Sequence, residues 1–305
     1  MGLDSTYFTT KMPWAGICSV TIDGQAVVKI PKFYVRCYTP TSGAFVGKVC
    51  REISDCAQTD FHVHPAFVRN GKEVSCFYIG AYEASANGAK ACSIANVAPW
   101  VNITNPAAIS ACAARNTGAA GSEQYGWHLQ NIYERHAISL LMLVELGTPN
   151  VQSAIGAGNT ASSAAVATGK TNAVWHGIHE FWGNVWEHTD GFKTDASGIG
   201  QIFSNQGDGS YVSTSVVPAA GWIKTASEAS GTNFDLKDVF IPAVSDGTEG
   251  NGTFGDYCWE SANCVLYTSG TWGHGSQAGA FVFYVRYASP NADTFIGFRV
   301  AKYGD

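Results

Sequence analysis

"WHGIHEFWGNVWEHTDG", Trp175–Gly191, brings three histidines, three acids and three tryptophans into one short run. Such a run is a metal centre, a catalytic cluster or the inside of a fold. The metal reading fails on spacing. A His-Glu-x-x-His zinc helix starting at His179-Glu180 needs its second histidine at position 183, which is Gly183. His176 and His179 could share a helix face, but Gly177 and Gly183 oppose a stable helix. An interior accounts for the residues better. Trp175, Phe181, Trp182, Val185 and Trp186 are large apolar groups, and a buried aromatic removes ~150–250 Å² from water. Buried indole N–H groups and imidazole nitrogens need partners, and Asn184, Glu187 and backbone carbonyls stand beside them. The stretch reads as a core stitched by polar groups.

Toward the N-terminus, "VTIDGQAVVKIPKFYVRCY" alternates as strands do, with Asp23-Gly24 as a hairpin turn, and "FVRNGKEVSCFYIGAYEAS" repeats the pattern around Asn70-Gly71. The N-terminal part is therefore predicted to be β-rich. Two helices follow. "TNPAAISACAARNTG" offers Thr104 or Asn105 as N-cap, Pro106 in the first turn and Gly118 after the end. "SEQYGWHLQNIYERHAISLLMLVELGT" offers Ser122 as cap and Gly147 as stop, with apolar groups at spacings of three and four. Residues 156–172 read as a loop. Their "GKT" is not a phosphate loop, because position 164 is Ala where that motif needs Gly. Beyond residue 190, short strands alternate with Gly, Asn, Asp and Ser.

Composition narrows the function. Of 305 residues, 46% are apolar, so a sizeable core can form, and only 14% are charged against about 25% in an average chain. The net charge is -6 with no basic run, so nucleic acid is not an expected partner. "AISLLMLVEL" is too short to span a bilayer, and the first residues carry no secretory signal pattern, so no membrane insertion is expected. Nine cysteines without a CxxC pair are read mainly as small buried thiols made in a reducing cytoplasm.

"GNVWEH" (Gly183–His188) resembles the "GNVWEW" signature of the formylglycine-generating, sulfatase-modifying family, a variant of the C-type lectin fold. "FYIGAYEAS" (77–85) is similar to that family's opening strand, "PWVNIT" (99–104) to its Pro-Val-x-x-Val segment and "GFRVA" (297–301) to its last strand. That family's catalytic cysteine pair follows a "GGS" turn. Here the corresponding "SGTW" (269–272) is followed by "GHGSQAGAFVFYVRY", without cysteine, and Cys258 and Cys264 precede the turn. A copper-dependent oxygenase of that branch is thus an alternative whose catalytic residues are missing. Asn184 and Glu187 match the motif that coordinates calcium in that branch. Calcium there is left open, and no other cofactor is expected.

A second branch of the fold resembles the chain more fully: the variable proteins of diversity-generating retroelements, many of them phage receptor-binding proteins. "SGTWGHGSQAGAFVFYVRYASPNADTFIGFRVA" is similar to their diversified tail, with Trp272, Ala278, Gly279, Phe281, Pro290, Ile296, Gly297, Phe298 and Arg299 as its constant positions. The resemblance implies an α+β C-type lectin fold over residues 76–305, with a variable segment near 270–296. It leaves residues 1–75 as a β-rich N-terminal extension for assembly or attachment. "FVFYVRY" (281–287) should be a strand, with Phe281, Phe283 and Val285 on the apolar face and Val282, Tyr284 and Arg286 on the exposed one. The predicted ligand-binding residues are Gly273, His274, Val282, Tyr284, Arg286, Tyr287, Asp293, Thr294 and Phe295, with no catalytic residue. Arg299 is expected to pair with a buried acid. The implied function is recognition of a protein or glycan receptor on a target cell by a homo-oligomer, for which the resemblance suggests a trimer. Its place would be a phage tail or related surface, as part of a virion made in the cytoplasm. A purely structural virion protein is the remaining alternative.

Overall fold

Asp23 and Gly24 take φ of 47° and 70°, and Asn70 and Gly71 take 48° and 70°. These left-handed pairs are what a two-residue hairpin needs, and both predicted hairpins form. The computed structural model describes residues 5–246, 248 and 254–304. Strands β1 (Cys18–Ile22), β2 (Gln25–Pro31), β3 (Cys76–Gly80) and β4 (Trp127–Leu129) form one sheet with the C-terminal strand Val300–Tyr303. Its order is β1-β2-β3-C-terminal strand-β4. The first and last strands of the lectin-like region thus lie side by side, antiparallel, with Ala301 opposite Ile79.

This sheet joins strands from the β-rich N-terminal region, residues 1–75, to strands of the region beyond it. β2 pairs with β3 from Val27↔Gly80 to Pro31↔Cys76, so the boundary is crossed by a full ladder. Polar contacts add to it. Arg69 ion-pairs with buried Glu134 at 2.9 Å, and His64 bonds the Asp238 carbonyl at 2.9 Å.

Helix α1 (Asn105–Ala113) is capped by Thr104 as predicted but ends before Gly118. Helix α2 (Ile132–Leu146) departs from its predicted start. Its cap is Asn131, not Ser122. Asn131 Oδ1 accepts from the N–H groups of Tyr133 and Glu134, and Glu134 Oε2 accepts from Asn131 N–H. That reciprocal pair satisfies donors a helix start leaves free. Residues 127–129 are then released to pair with the C-terminal strand. Gly147, at φ 64°, ends the helix as predicted.

The second sheet has nine strands among the described residues. They are β5 (Trp186–Thr194), β6 (Gly200–Phe203), β7 (Tyr211–Ser213), β8 (Gly221–Ala226), β9 (Pro242–Asp246), β10 (Tyr257–Glu260), β11 (Val265–Ser269), β12 (Gly279–Tyr287) and β13 (Ile296–Phe298). The order is β7-β6-β5-β11-β12-β10-β8-β9, with β13 parallel to β5. The result is the α+β arrangement expected of the C-type lectin fold. The inner face of β12 supplies Phe281, Phe283 and Val285 to the main core. There Phe281 meets Phe240 and Phe283 meets Phe192, with ring centroids 4.9 and 5.0 Å apart. Gly279 opens β12 because any Cβ there would overlap the carboxylate of buried Asp256, whose Oδ2 accepts from Phe281 N–H at 2.7 Å.

The Trp-rich stretch is interior, stitched as expected. Glu187 is fully buried. One oxygen accepts from Arg299 Nε at 2.9 Å and the other from Arg135 at 3.2 Å. Arg299 also donates to the carbonyls of Gly80, His179 and Glu180, tying the two sheets together. Burial beside a second guanidinium pulls Arg135 down to about 9.

His188, next on β5, donates to the Ile103 carbonyl at 2.9 Å, and burial pushes its imidazole down to about 4. In the unfolded chain it protonates near pH 6.5. The folded form therefore loses stability through this residue as pH falls from 6.5 toward 4. A His188→Gln variant lacks that loss. Its stability deficit relative to the parent should shrink by up to about 3 kcal/mol between pH 7 and 4, as urea midpoints at the two pH values would read. A constant deficit would show that the imidazole is not held neutral.

The nine cysteines are free thiols. Cys76, Cys92, Cys112, Cys258 and Cys264 are buried as expected, whereas Cys18 and Cys56 are exposed and Cys37 and Cys50 half-buried. Those four stand on or beside the N-terminal strands, where only part of each strand faces the core. No helix among the described residues is long and apolar enough to cross a membrane.

Candidate recognition site

The outer face of the nine-stranded sheet carries a row of rings. Register sets His188 opposite Tyr267, Tyr267 opposite Tyr284 and Tyr284 beside Trp259, so four neighbouring strands place an aromatic side by side. Trp186 leans on this row, with ring centroids 4.6 Å from Tyr284 and 4.7 Å from His274. Trp186, Tyr284 and His274, together with Trp272, Tyr287, Phe295, Thr271 and Gly273, wall a pocket of about 280 Å³. It stands apart from the main core as a small cluster of its own.

The loop over the pocket hangs on the Gly183-Asn184 turn. Both residues are left-handed, at φ 78° and 65°. A side chain at Gly183 would also press on the Asn159 carbonyl. The Asn184 carbonyl accepts from Trp272 N–H at 3.1 Å, and Ser269 Oγ donates to the Gly183 carbonyl at 3.0 Å. Further anchors run from Ser162 N–H to the Trp272 carbonyl and from Gly275 N–H to the Thr160 carbonyl, each 2.7 Å. Within the loop, His274 Nδ1 accepts from Thr271 N–H at 3.1 Å and lies 2.7 Å from its hydroxyl. Burial lowers the His274 pKa, which favours the neutral ring. On the far rim, Trp186 N–H donates to the Phe295 carbonyl, and Asn102 N–H to that of Asp293.

Five of the nine predicted residues line this pocket. Gly273, His274, Tyr287 and Phe295 line it, and Arg286 and Thr294 are exposed. Asp293 is half-buried and accepts from the backbone and hydroxyl of Thr294. Val282 is 1% exposed. It points to the predicted face, but the cluster of Trp186, Tyr284 and Ile296 covers that face, so it supports the pocket from beneath. Tyr284 does line the pocket but is only 6% exposed, a wall rather than a projecting anchor. Sequence reasoning missed Trp186, assigned wholly to the core, and did not single out Trp259, which packs behind the pocket against Trp186, His274 and Tyr284. The alternation of Tyr257 and Trp259 in "YCWE" was the available signal.

Asn184 and Glu187 do not fit a calcium ion. Both Glu187 oxygens are taken by guanidinium groups. Asn184 Oδ1 accepts from Asn159 and from Val166 N–H, and its Nδ2 donates to Glu83. Calcium needs several free oxygens converging on one point. Neither cysteine near the turn joins the pocket. Burial raises the pKa of both Cys258 and Cys264, which disfavours the thiolates a copper site requires.

No family model matches the chain, and no curated protein matches it in sequence. Among solved structures it is similar to Treponema denticola variable protein 1, at 12% identity over 94% of this chain and 98% of that one, with a TM-score of 0.43. It is also similar to the Major Tropism Determinant I1 variant, at 12% identity over 99% and 85%, TM-score 0.36. PvdO from Pseudomonas aeruginosa aligns at 13% identity over 91% and 94%, TM-score 0.33.

Proposed function

We propose that the chain is a recognition protein whose exchangeable surface surrounds the aromatic pocket, and that it catalyses no reaction. One observation carries this reading. Residues 271–274, Tyr284, Tyr287 and Phe295 meet beside Trp186, nearly a hundred positions earlier in the chain, over a floor fixed from the interior by Trp186 and the Gly183-Asn184 turn. Residues at the rim are free to vary. A Cβ at Gly273 would meet nothing within 4 Å, and Arg286 and Thr294 project into solvent. Loops on a stiff scaffold are where recognition residues change with least effect on folding.

The sequence resemblance supplies the setting: a variable protein of a diversity-generating retroelement, on a phage tail or related surface, recognising a protein or glycan on a target cell. Homo-oligomerisation, as a trimer, would raise weak single-site binding by roughly 10²–10⁴ in avidity, and residues 1–75 are the segment proposed for assembly or attachment. Sequencing many gene copies from one population tests the reading. Changes should cluster at Gly273, Arg286, Tyr287, Asp293, Thr294 and Phe295. Changes spread evenly along the gene would instead support a structural virion protein.

A further inference from the structure

We infer that the aromatic pocket receives a quaternary ammonium whose attached anionic group meets Arg286, the chemistry of a phosphocholine head group. This inference rests on the recognition reading above.

The walls argue for a cation. Trp186, Trp272, Tyr284, Tyr287 and Phe295 present five rings to one cavity. Their planes are inclined rather than parallel, at 43° between Trp186 and Tyr284 and 54° between Tyr284 and Tyr287. Electron-rich ring faces attract a cation placed among them. No lysine or arginine lines the cavity to occupy it from within.

Chemistry at the walls selects a fully methylated nitrogen. A primary ammonium brings three N–H donors that need acceptors. No Asp or Glu lines the cavity among the described residues. The Thr271 hydroxyl is engaged by His274 Nδ1 and Gly273 N–H, and the Tyr284 hydroxyl is bonded to Tyr287. A quaternary ammonium has no N–H to satisfy. Its volume suits a cavity of about 280 Å³.

Arg286 completes the specification. It is exposed on β12 directly beside Tyr287, which lines the cavity. A bare cation would be repelled there. A phosphate tethered to the ammonium would be attracted, and Arg is the side chain best shaped for it.

Titration of the full chain with phosphocholine, choline and 3,3-dimethylbutyl phosphate, followed by tryptophan fluorescence and calorimetry, tests the inference. The last compound keeps the anion and shape but replaces the ammonium with a neutral tert-butyl group. Phosphocholine should bind about tenfold or more tighter than this isostere. Arg286→Ala should weaken phosphocholine and leave choline unchanged or tighter. Phe295→Leu, at a half-exposed position, should weaken phosphocholine while thermal denaturation stays near that of the parent. Phosphatidylcholine vesicles and a phosphocholine-conjugated carrier protein then distinguish a lipid source from a non-lipid one, and capture by either supports the assignment. Equal binding of the neutral isostere, or no binding of phosphocholine, overturns it. Failure here with clustered gene variation leaves recognition standing. Phosphocholine binding with evenly spread variation removes only the diversified role.

Discussion

Replacing Glu187 by alanine is expected to lower stability by about 3–5 kcal/mol, a large part of what holds a domain of this kind together. The reason is the company it keeps. Arg135 and Arg299 are both fully buried, and Glu187 is their shared ion-pair partner. Without it two guanidinium groups remain in the interior without the carboxylate that ion-pairs with both. Arg299 would keep its three carbonyl acceptors, but carbonyl dipoles do not neutralise a charge. Glu187→Gln should fall between parent and alanine variant, because it restores shape and hydrogen bonding without charge. Urea denaturation of the three proteins checks the order. If alanine and parent share one midpoint, the buried cluster is not what joins the sheets.

The second large effect is expected at Trp186. Alanine there removes a ring that is 1% exposed and should cost about 3–5 kcal/mol. It also removes the wall on which Tyr284 and His274 rest, so pocket and stability should fail together. Phenylalanine at this position should recover much of the stability but less of the pocket, since a smaller ring cannot reach both neighbours. Denaturation midpoints and fluorescence titration on the same preparations separate the two losses. A Trp186→Ala protein with parental stability would mean that the pocket floor is not anchored to the scaffold.

Local signals made much of this legible from sequence. Asp-Gly and Asn-Gly pairs fix hairpins through backbone conformation alone, and both formed. Gly147 stopped α2 for the same reason. Arg299 could be assigned an acidic partner from its place in an apolar run, though it falls between two strands rather than within one, but Glu187 lies 112 positions away, and no local pattern names it. The start of α2 was misplaced because Ser122 is an acceptable cap in isolation. Only the C-terminal strand, by pairing with 127–129, shows why the helix waits for Asn131. At the site, alternation along β12 placed Val282 and Tyr284 on the right face but did not give their exposure, and a register shift beyond Tyr284 brings Tyr287 to the same pocket. Val282 and Tyr284 face outward and are nonetheless covered, because Trp186 and residues 295–296 arrive from elsewhere in the chain. Which face a strand residue takes is local. What lies over that face is tertiary.

A stability scan comparing rim with interior bears most directly on the account. Several substitutions each at Gly273, Arg286 and Thr294, and at Glu187, Trp186 and Arg299, would be followed by urea denaturation. The rim variants should remain within about ±0.5 kcal/mol of the parent, while the interior variants should lose about 3 kcal/mol or more. Rim substitutions that destabilise as much as interior ones would contradict the division between a fixed scaffold and an exchangeable surface.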